Sequence, residues 1–99
     1  MVVIIFRSRL APGHDDEYAA TSTRMIELAS GMPGFRSFKT FTAADGERVS
    51  VIEFESEATA AAWREHPEHR QAQRRAREAF YQSYSIQVCH ELRRYGFER

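Results

Sequence analysis

The stretch FESEATAAAWREHPEHRQAQ, residues 54–73, contains the end of a strand, a capped helix and a helix break. Ser56 is a favourable N-cap and precedes an alanine-rich segment, so a helix is predicted from there to about Glu65. Pro67 cannot continue that helix but suits the first turn of a new one, predicted over residues 67–79. The second helical element of the chain is therefore predicted to be split.

Segments rich in β-branched and aromatic residues flank this stretch and predict four strands. The predicted strands cover residues 2–10, 35–42, 48–55 and 81–92, with a hairpin turn at Asp45-Gly46. Another helix is predicted over residues 14–30, ended by Gly31 and Pro33. The order βαββαβ, with its split second helix, predicts an α+β protein with a ferredoxin-like sheet and helices on one face.

The predicted sheet carries apolar side chains on both faces, although helices cover only one. The set comprises both faces of residues 2–6 and, elsewhere, Phe35, Phe41, Val49, Val51, Ile86 and Val88. Because an exposed apolar face favours association, a homodimer with sheets packed face to face, a dimeric α+β barrel, is predicted. The alternative is a monomer whose outer face is solvated.

Length, charge, hydrophobicity and cysteine content indicate which general class of protein the chain belongs to. With 99 residues, the chain is expected to form one domain, residues 1–99. Lys plus Arg and Asp plus Glu are 14 each, so no net field favours nucleic acid, and none is expected as a partner. The longest apolar run, residues 2–6, is too short to span a bilayer, so no membrane association is expected. A single cysteine, Cys89, fits a cytoplasmic protein.

The candidate site residues lie on the two helices around the break. His69 shares a helical face with Ala72, Gln73, Ala76 and Phe80, and this face is expected to look towards the sheet. Trp63 is either a filler of the gap between helix and sheet or a wall of a pocket for a flat ligand. His69 is either a hydrogen-bonded core residue or a group that handles protons. The His66-x-x-His69 pair is interrupted by Pro67 and has no third ligand nearby, so no metal site is predicted.

The order of elements, together with AWREHPEH (residues 62–69) and FYQSYSIQVC (residues 80–89), resembles the antibiotic biosynthesis monooxygenase superfamily of dimeric α+β barrels. The resemblance implies a homodimer with one pocket per subunit, between sheet and helices, and an activity among cofactor-free oxygenases of aromatic phenols or haem-degrading enzymes. In haem-degrading relatives an Asn, a Trp and a His form the haem site. Trp63 matches the Trp, but Phe6 stands at the Asn position and Gln73 at the His position. Because Gln is a poor iron ligand, haem degradation is disfavoured and no cofactor is expected.

The resulting functional hypothesis is a cofactor-independent monooxygenase-like protein acting on a small hydrophobic or aromatic, polyketide-type substrate. His69 is predicted to be the base or donor, with Gln73 and Arg7 polarising the substrate. The residues predicted to contact the substrate are Trp63, Phe80, Tyr81, His66 and Phe6. Two alternatives remain open: a non-catalytic ligand-binding or accessory dimer, and an isomerase or cyclase-like enzyme on polyketide-type substrates.

Overall fold

The computed structural model describes all residues from 1 to 99 and contains one four-stranded antiparallel sheet. Its strands are β1 (Val2–Leu10), β2 (Phe35–Thr42), β3 (Arg48–Phe54) and β4 (Tyr81–His90), in the order β2-β3-β1-β4. Three α-helices connect them, α1 (Asp15–Ser30), α2 (Glu57–Arg64) and α3 (Pro67–Arg75). The predicted α+β, ferredoxin-like fold with a split second helix is therefore confirmed.

The core lies between one face of the sheet and the helices. Its buried members are Val2, Ile4, Ala29, Ile52, Phe54, Ala60 and Trp63. Alternation along β1 places Val2, Ile4 and Phe6 on this inner face and Val3, Ile5 and Arg7 on the opposite, outer face. No helix in the chain is long and apolar enough to cross a membrane.

The helix break arises from two caps that the sequence provides. Ser56 accepts a hydrogen bond from the Thr59 backbone N–H, and the Thr59 hydroxyl accepts one from the Ser56 backbone N–H, which makes a capping box for α2. His66 caps α3, because its Nδ1 accepts a hydrogen bond from the Glu68 backbone N–H at 3.1 Å. Pro67 then occupies the first helical position, where the absence of an N–H has no cost.

The end of the second helical element differs from the prediction. The α-helical hydrogen bonding ends at Arg75, and Ala76–Phe80 form a π-helical turn that leads directly into β4. Strand β4 ends at His90 instead of Leu92, and residues 91–99 form neither helix nor strand. Within this C-terminal segment Leu92, Tyr95 and Phe97 are 80–86% exposed.

Gly34 fixes the distance between the start of β2 and the cap of α2. Its φ is +80°, and a Cβ added there would lie 2.7 Å from the Thr59 side chain. Gly34 also accepts, through its carbonyl, a hydrogen bond of 2.8 Å from the Glu55 backbone N–H. Any other residue at this position would therefore be strained in the backbone and would also push against the capping box.

Substitution of Gly34 by Ala is expected to lower the free energy of unfolding by roughly 1–3 kcal/mol for the positive φ and by roughly another 1–3 kcal/mol for the overpacking against Thr59. The matched control is Gly13→Ala, because Gly13 has φ +97° but nothing within 4 Å of an added Cβ. Urea unfolding of both variants measures the difference. Equal losses of unfolding free energy in Gly34→Ala and Gly13→Ala would contradict a cost from the close contact between residue 34 and Thr59.

Candidate functional site

A cavity of about 240 Å³ lies between the inner face of the sheet and the helices. Its walls come from all four strands, the inward faces of α1, α2 and α3, and the π-helical turn that follows α3. The lining is mostly apolar and includes Ile4, Phe6, Tyr18, Met25, Phe38, Ile52, Trp63, His69, Gln73, Phe80, Tyr81, Tyr84, Ile86 and Val88. An apolar cavity with a few polar groups is the usual form of a site for small hydrophobic ligands.

Trp63 is at the same time a core residue and a wall of the cavity. Its ring stacks on Phe54 with centroids 5.6 Å apart and on His69 with centroids 4.1 Å apart, and Phe38 meets it edge-on at 6.0 Å. The residue is only 5% exposed. Trp63 therefore both fills the gap between helix and sheet and forms part of the cavity wall. Little of its ring is left exposed for a flat ligand to stack on.

His69 is held in one orientation by the end of α2. Its Nδ1 lies 3.0 Å from the backbone carbonyl oxygen of Trp63. Since a carbonyl can only accept, Nδ1–H is the donor, and in the neutral ring the free lone pair is on Nε2. Burial lowers the pKa of His69 below its usual value, the Trp63 carbonyl opposes this shift, and nearby His66 adds to it. At neutral pH His69 is thus a neutral imidazole whose unprotonated nitrogen is Nε2, and the residue is part of the cavity wall.

The face of α3 predicted from the sequence does line the cavity. His69, Ala72, Gln73, Ala76 and Phe80 are all among the lining residues. The two alanines leave room, and Gln73 supplies an amide that can both donate and accept a hydrogen bond. These residues and Trp63 therefore come together as expected.

The π-helical turn places Phe80 and Tyr81 side by side at one end of the cavity. Phe80 is 2% exposed and meets Tyr18 edge-on, with ring centroids 5.8 Å apart. Tyr81 meets Phe6 edge-on at 5.4 Å. The predicted substrate-contacting residues Phe6, Phe80 and Tyr81 thus lie in the cavity wall, although Phe80 is mainly a packing residue.

Two residues predicted for the site lie elsewhere. Arg7 is on the outer face of the sheet, where it holds Glu47 through two hydrogen bonds of 2.8 and 3.1 Å. Arg7 therefore lies away from the cavity, contrary to its predicted place beside the substrate. His66 caps α3 and is not part of the cavity lining, so its predicted contact with the substrate is also corrected.

Several residues of the site were not singled out from the sequence. Tyr18 and Met25 line the cavity from α1, and Phe38 lines it from β2. The helical stripe that contains Tyr18 and Met25 predicts an inward face, but it does not separate core from cavity. Arg48 lies next to this group, with its guanidinium carbon 5.5 Å from the centroid of the Tyr18 ring. No cluster of three or more metal-ligating side chains occurs in the chain.

Replacement of His69 by Gln is expected to weaken the dependence of folding stability on pH. Because the pKa of His69 is lower in the folded chain than in the unfolded chain, the unfolded chain binds more protons between the two values, and stability rises with pH there. The contribution of His69 is complete above the unfolded pKa of about 6.5 and is lost as the pH falls through the folded pKa.

Urea unfolding between about pH 5 and pH 8 measures this slope. The control is His90→Gln, which removes an exposed histidine from β4. The His69 substitution must flatten the slope more than the His90 substitution does. An unchanged slope would mean that His69 takes up its proton as easily in the folded chain as in the unfolded one.

Comparison with known proteins connects this cavity to a family. The family model described as antibiotic biosynthesis monooxygenase matches residues 1–75. Protein YqjZ of Bacillus subtilis (strain 168) is 34% identical over 86 residues, which cover 87% of this chain and 75% of that protein. The family match includes the strand β1 and the helices α1 to α3, which contribute to the cavity wall.

Solved structures share the fold at lower sequence identity. The structure of Rv0793 from Mycobacterium tuberculosis superposes with a TM-score of 0.83 at 22% identity, covering 96% of this chain and 98% of that one. SnoaB, a cofactor-independent oxygenase from Streptomyces nogalater, superposes with a TM-score of 0.79 at 13% identity, covering 94% of each chain. With the family match over three-quarters of its length, this chain belongs to the antibiotic biosynthesis monooxygenase family.

Proposed function

We propose that this protein is a cofactor-independent monooxygenase of a small aromatic or enolisable substrate, bound in the cavity between sheet and helices. The observation that carries the proposal is the neutral His69, oriented by the Trp63 carbonyl, in the wall of an apolar cavity. A base with a free Nε2 in such surroundings suits the removal of a phenolic or enolic proton. Membership of the monooxygenase family and the fold shared with SnoaB support the oxygenase chemistry.

The proposed reaction begins with proton transfer from the substrate hydroxyl to Nε2 of His69. The substrate anion gives one electron to dioxygen, and the resulting radical and superoxide combine to form a carbon–oxygen bond. Loss of water, with the proton returned from His69, leaves a new carbonyl oxygen on the substrate. For a naphthol the balance is C10H8O + O2 → C10H6O2 + H2O, so dioxygen is the only oxidant.

The side chains have separate tasks in this scheme. His69 moves the proton, and the amide of Gln73 donates a hydrogen bond to the substrate oxygen as negative charge develops on it. Trp63 orients His69 through its carbonyl and covers one side of the imidazole ring. Phe6, Phe38 and Tyr81 exclude water, which strengthens these interactions.

A homodimer is part of the same proposal. The outer face of the sheet carries Val3, Ile5, Val49 and Val51, all half-buried in the single chain, and Phe41, which is 51% exposed. The exposed Leu92, Tyr95 and Phe97 of the C-terminal segment add further apolar surface. A second copy of the chain is the occupant that fits such a self-complementary apolar face.

Substitution of His69 by Gln is expected to lower kcat for dioxygen consumption with a dihydroxynaphthalene or anthrone by about 10²–10⁴-fold, because the base is lost. An oxygen electrode measures the rate, and ¹⁸O2 with mass spectrometry follows the transferred atom. His90→Gln is the control and should retain the wild-type rate. Wild-type activity in His69→Gln would refute the role of the base. A product with the same mass as the substrate would show that the protein is an isomerase and not an oxygenase. Binding of the substrate without conversion would show that it is a ligand-binding protein.

Substitution of Val51 by Lys is expected to convert a dimer into a monomer, because it places charges at the centre of the proposed interface. Size-exclusion chromatography with light scattering should give twice the 11.5 kDa of one chain for the wild type and the single mass for the variant. The control is Asp16→Lys, an exposed position on α1, which should remain dimeric. A monomeric wild type at micromolar concentration would contradict this interface.

A further inference from the structure

One end of the cavity, where β4 begins, is formed by Tyr18, Tyr81 and Tyr84, and we refer to these three residues as the tyrosine end. The ring of Tyr81 lies 5.9 Å from that of Tyr18 and 5.7 Å from that of Tyr84, measured between centroids. All three tyrosines line the cavity. Their hydroxyls introduce hydrogen-bonding groups into a part of the cavity that is otherwise formed by Phe6 and Phe80.

Arg48 adds a positive charge beside the tyrosine end. It is half-buried at the start of β3, and its guanidinium carbon lies 5.5 Å from the centroid of the Tyr18 ring. Arg7 and Arg9 of β1 hold Glu47 and Asp45, but Arg48 has no carboxylate within 4.0 Å. Its Nε is buried without a hydrogen-bond partner. A partly desolvated cation without a counter-ion favours a negative group nearby.

Three further charged side chains line the cavity, Glu57 and Arg64 on α2 and Arg77 in the π-helical turn. Glu57 is the carboxylate among the lining residues, and its side chain lies 3.8 Å from His90, the last residue of β4. The tyrosine end lies at the first residues of the same strand. Because the Glu57 side chain is 76% exposed, solvent screens most of its repulsion of an acidic ligand group, and the attraction of such a group rests on the tyrosine end and Arg48.

The protonation state of Tyr81 suits an anionic ligand group at the tyrosine end. Burial, followed by the neighbouring Tyr18, raises the pKa of Tyr81 above its usual value, while the charge of Arg48 opposes the shift. Tyr81 therefore remains a neutral phenol at neutral pH. A neutral phenol donates a hydrogen bond to an anion and does not repel it.

We propose that the tyrosine end binds a carboxylate of the ligand, so that the protein takes a hydroxylated aromatic acid and fixes the direction in which it lies. Tyr18 and Tyr81 donate hydrogen bonds to the carboxylate, and Arg48 is a positioning residue that supplies positive potential. The hydroxyl-bearing ring then points along α3 towards Gln73 and His69. This inference deepens the proposed function and rests on it for the reacting end of the substrate.

Calorimetric titration with a matched pair of ligands tests the carboxylate site. The pair is 6-hydroxy-2-naphthoate and 2-naphthol, which differ only in the carboxylate. The wild-type protein should bind the acid at least about tenfold more tightly at pH 7, as expected for a charge-assisted hydrogen bond. Equal affinity for the two ligands, or binding of neither, would overturn the proposal.

Three variants separate recognition of the carboxylate from packing. Tyr81→Phe and Arg48→Gln should each reduce the preference for the acid to about threefold or less while leaving the affinity for 2-naphthol within about twofold. Arg48→Lys keeps the charge and should retain most of the preference. Equal weakening of both ligands in the first two variants would indicate a packing role and overturn the proposal.

A fourth variant tests carboxylate binding separately from the proposed oxygenase reaction. His69→Gln should keep the preference for the acid, because it leaves the tyrosine end intact. If the wild type shows the preference but consumes no dioxygen, the carboxylate site stands and the oxygenase proposal fails. If dioxygen is consumed without any preference, the oxygenase proposal stands and the carboxylate site fails.

Discussion

The stacked contact between Trp63 and His69 is the interaction on which the rest of the site depends. It joins the end of α2 to the first turn of α3, and Phe54 continues the stack into the sheet. The helix break at Pro67 makes this contact possible, because a continuous helix would carry His69 past the Trp63 carbonyl without turning back to it. The same few residues therefore provide part of the hydrophobic core, orient the imidazole ring and form a wall of the cavity.

Much of the architecture can be predicted from local patterns, since caps, turns and alternation act over a few residues. Ser56, Pro67 and the Asp45-Gly46 turn each fix one boundary, and the inward face of α3 follows from spacing alone. The position of Arg7 could not be predicted in this way. Odd- and even-numbered residues of β1 are both apolar at Val2–Phe6. Alternation therefore shows that Phe6 and Arg7 lie on opposite faces, but it does not show which face meets the helices.

Arg48 and His66 illustrate two other limits of the sequence. Arg48 is the first residue of β3, and its contact with Tyr18, which is distant in sequence, forms only when α1 packs on the sheet. His66 is next to the helix break in both the prediction and the structure, but its ring nitrogen is used by the backbone N–H of Glu68. Histidine is an uncommon cap, so this use of its ring nitrogen does not follow from the sequence pattern. For Arg48 the sequence does not show the tertiary contact with Tyr18, and for His66 it does not show the direction of the side chain.

The π-helical turn at Ala76–Phe80 has a consequence for how this site can change in evolution. Such a turn accommodates one residue more than an α-helical turn of the same length. Loss of a single residue there would restore regular helix and shift Phe80 and Tyr81 relative to the rest of α3, while β1, β3 and their register stayed as they are. The shape of this cavity can therefore change through a one-residue length change inside a helix, without any alteration of the loops.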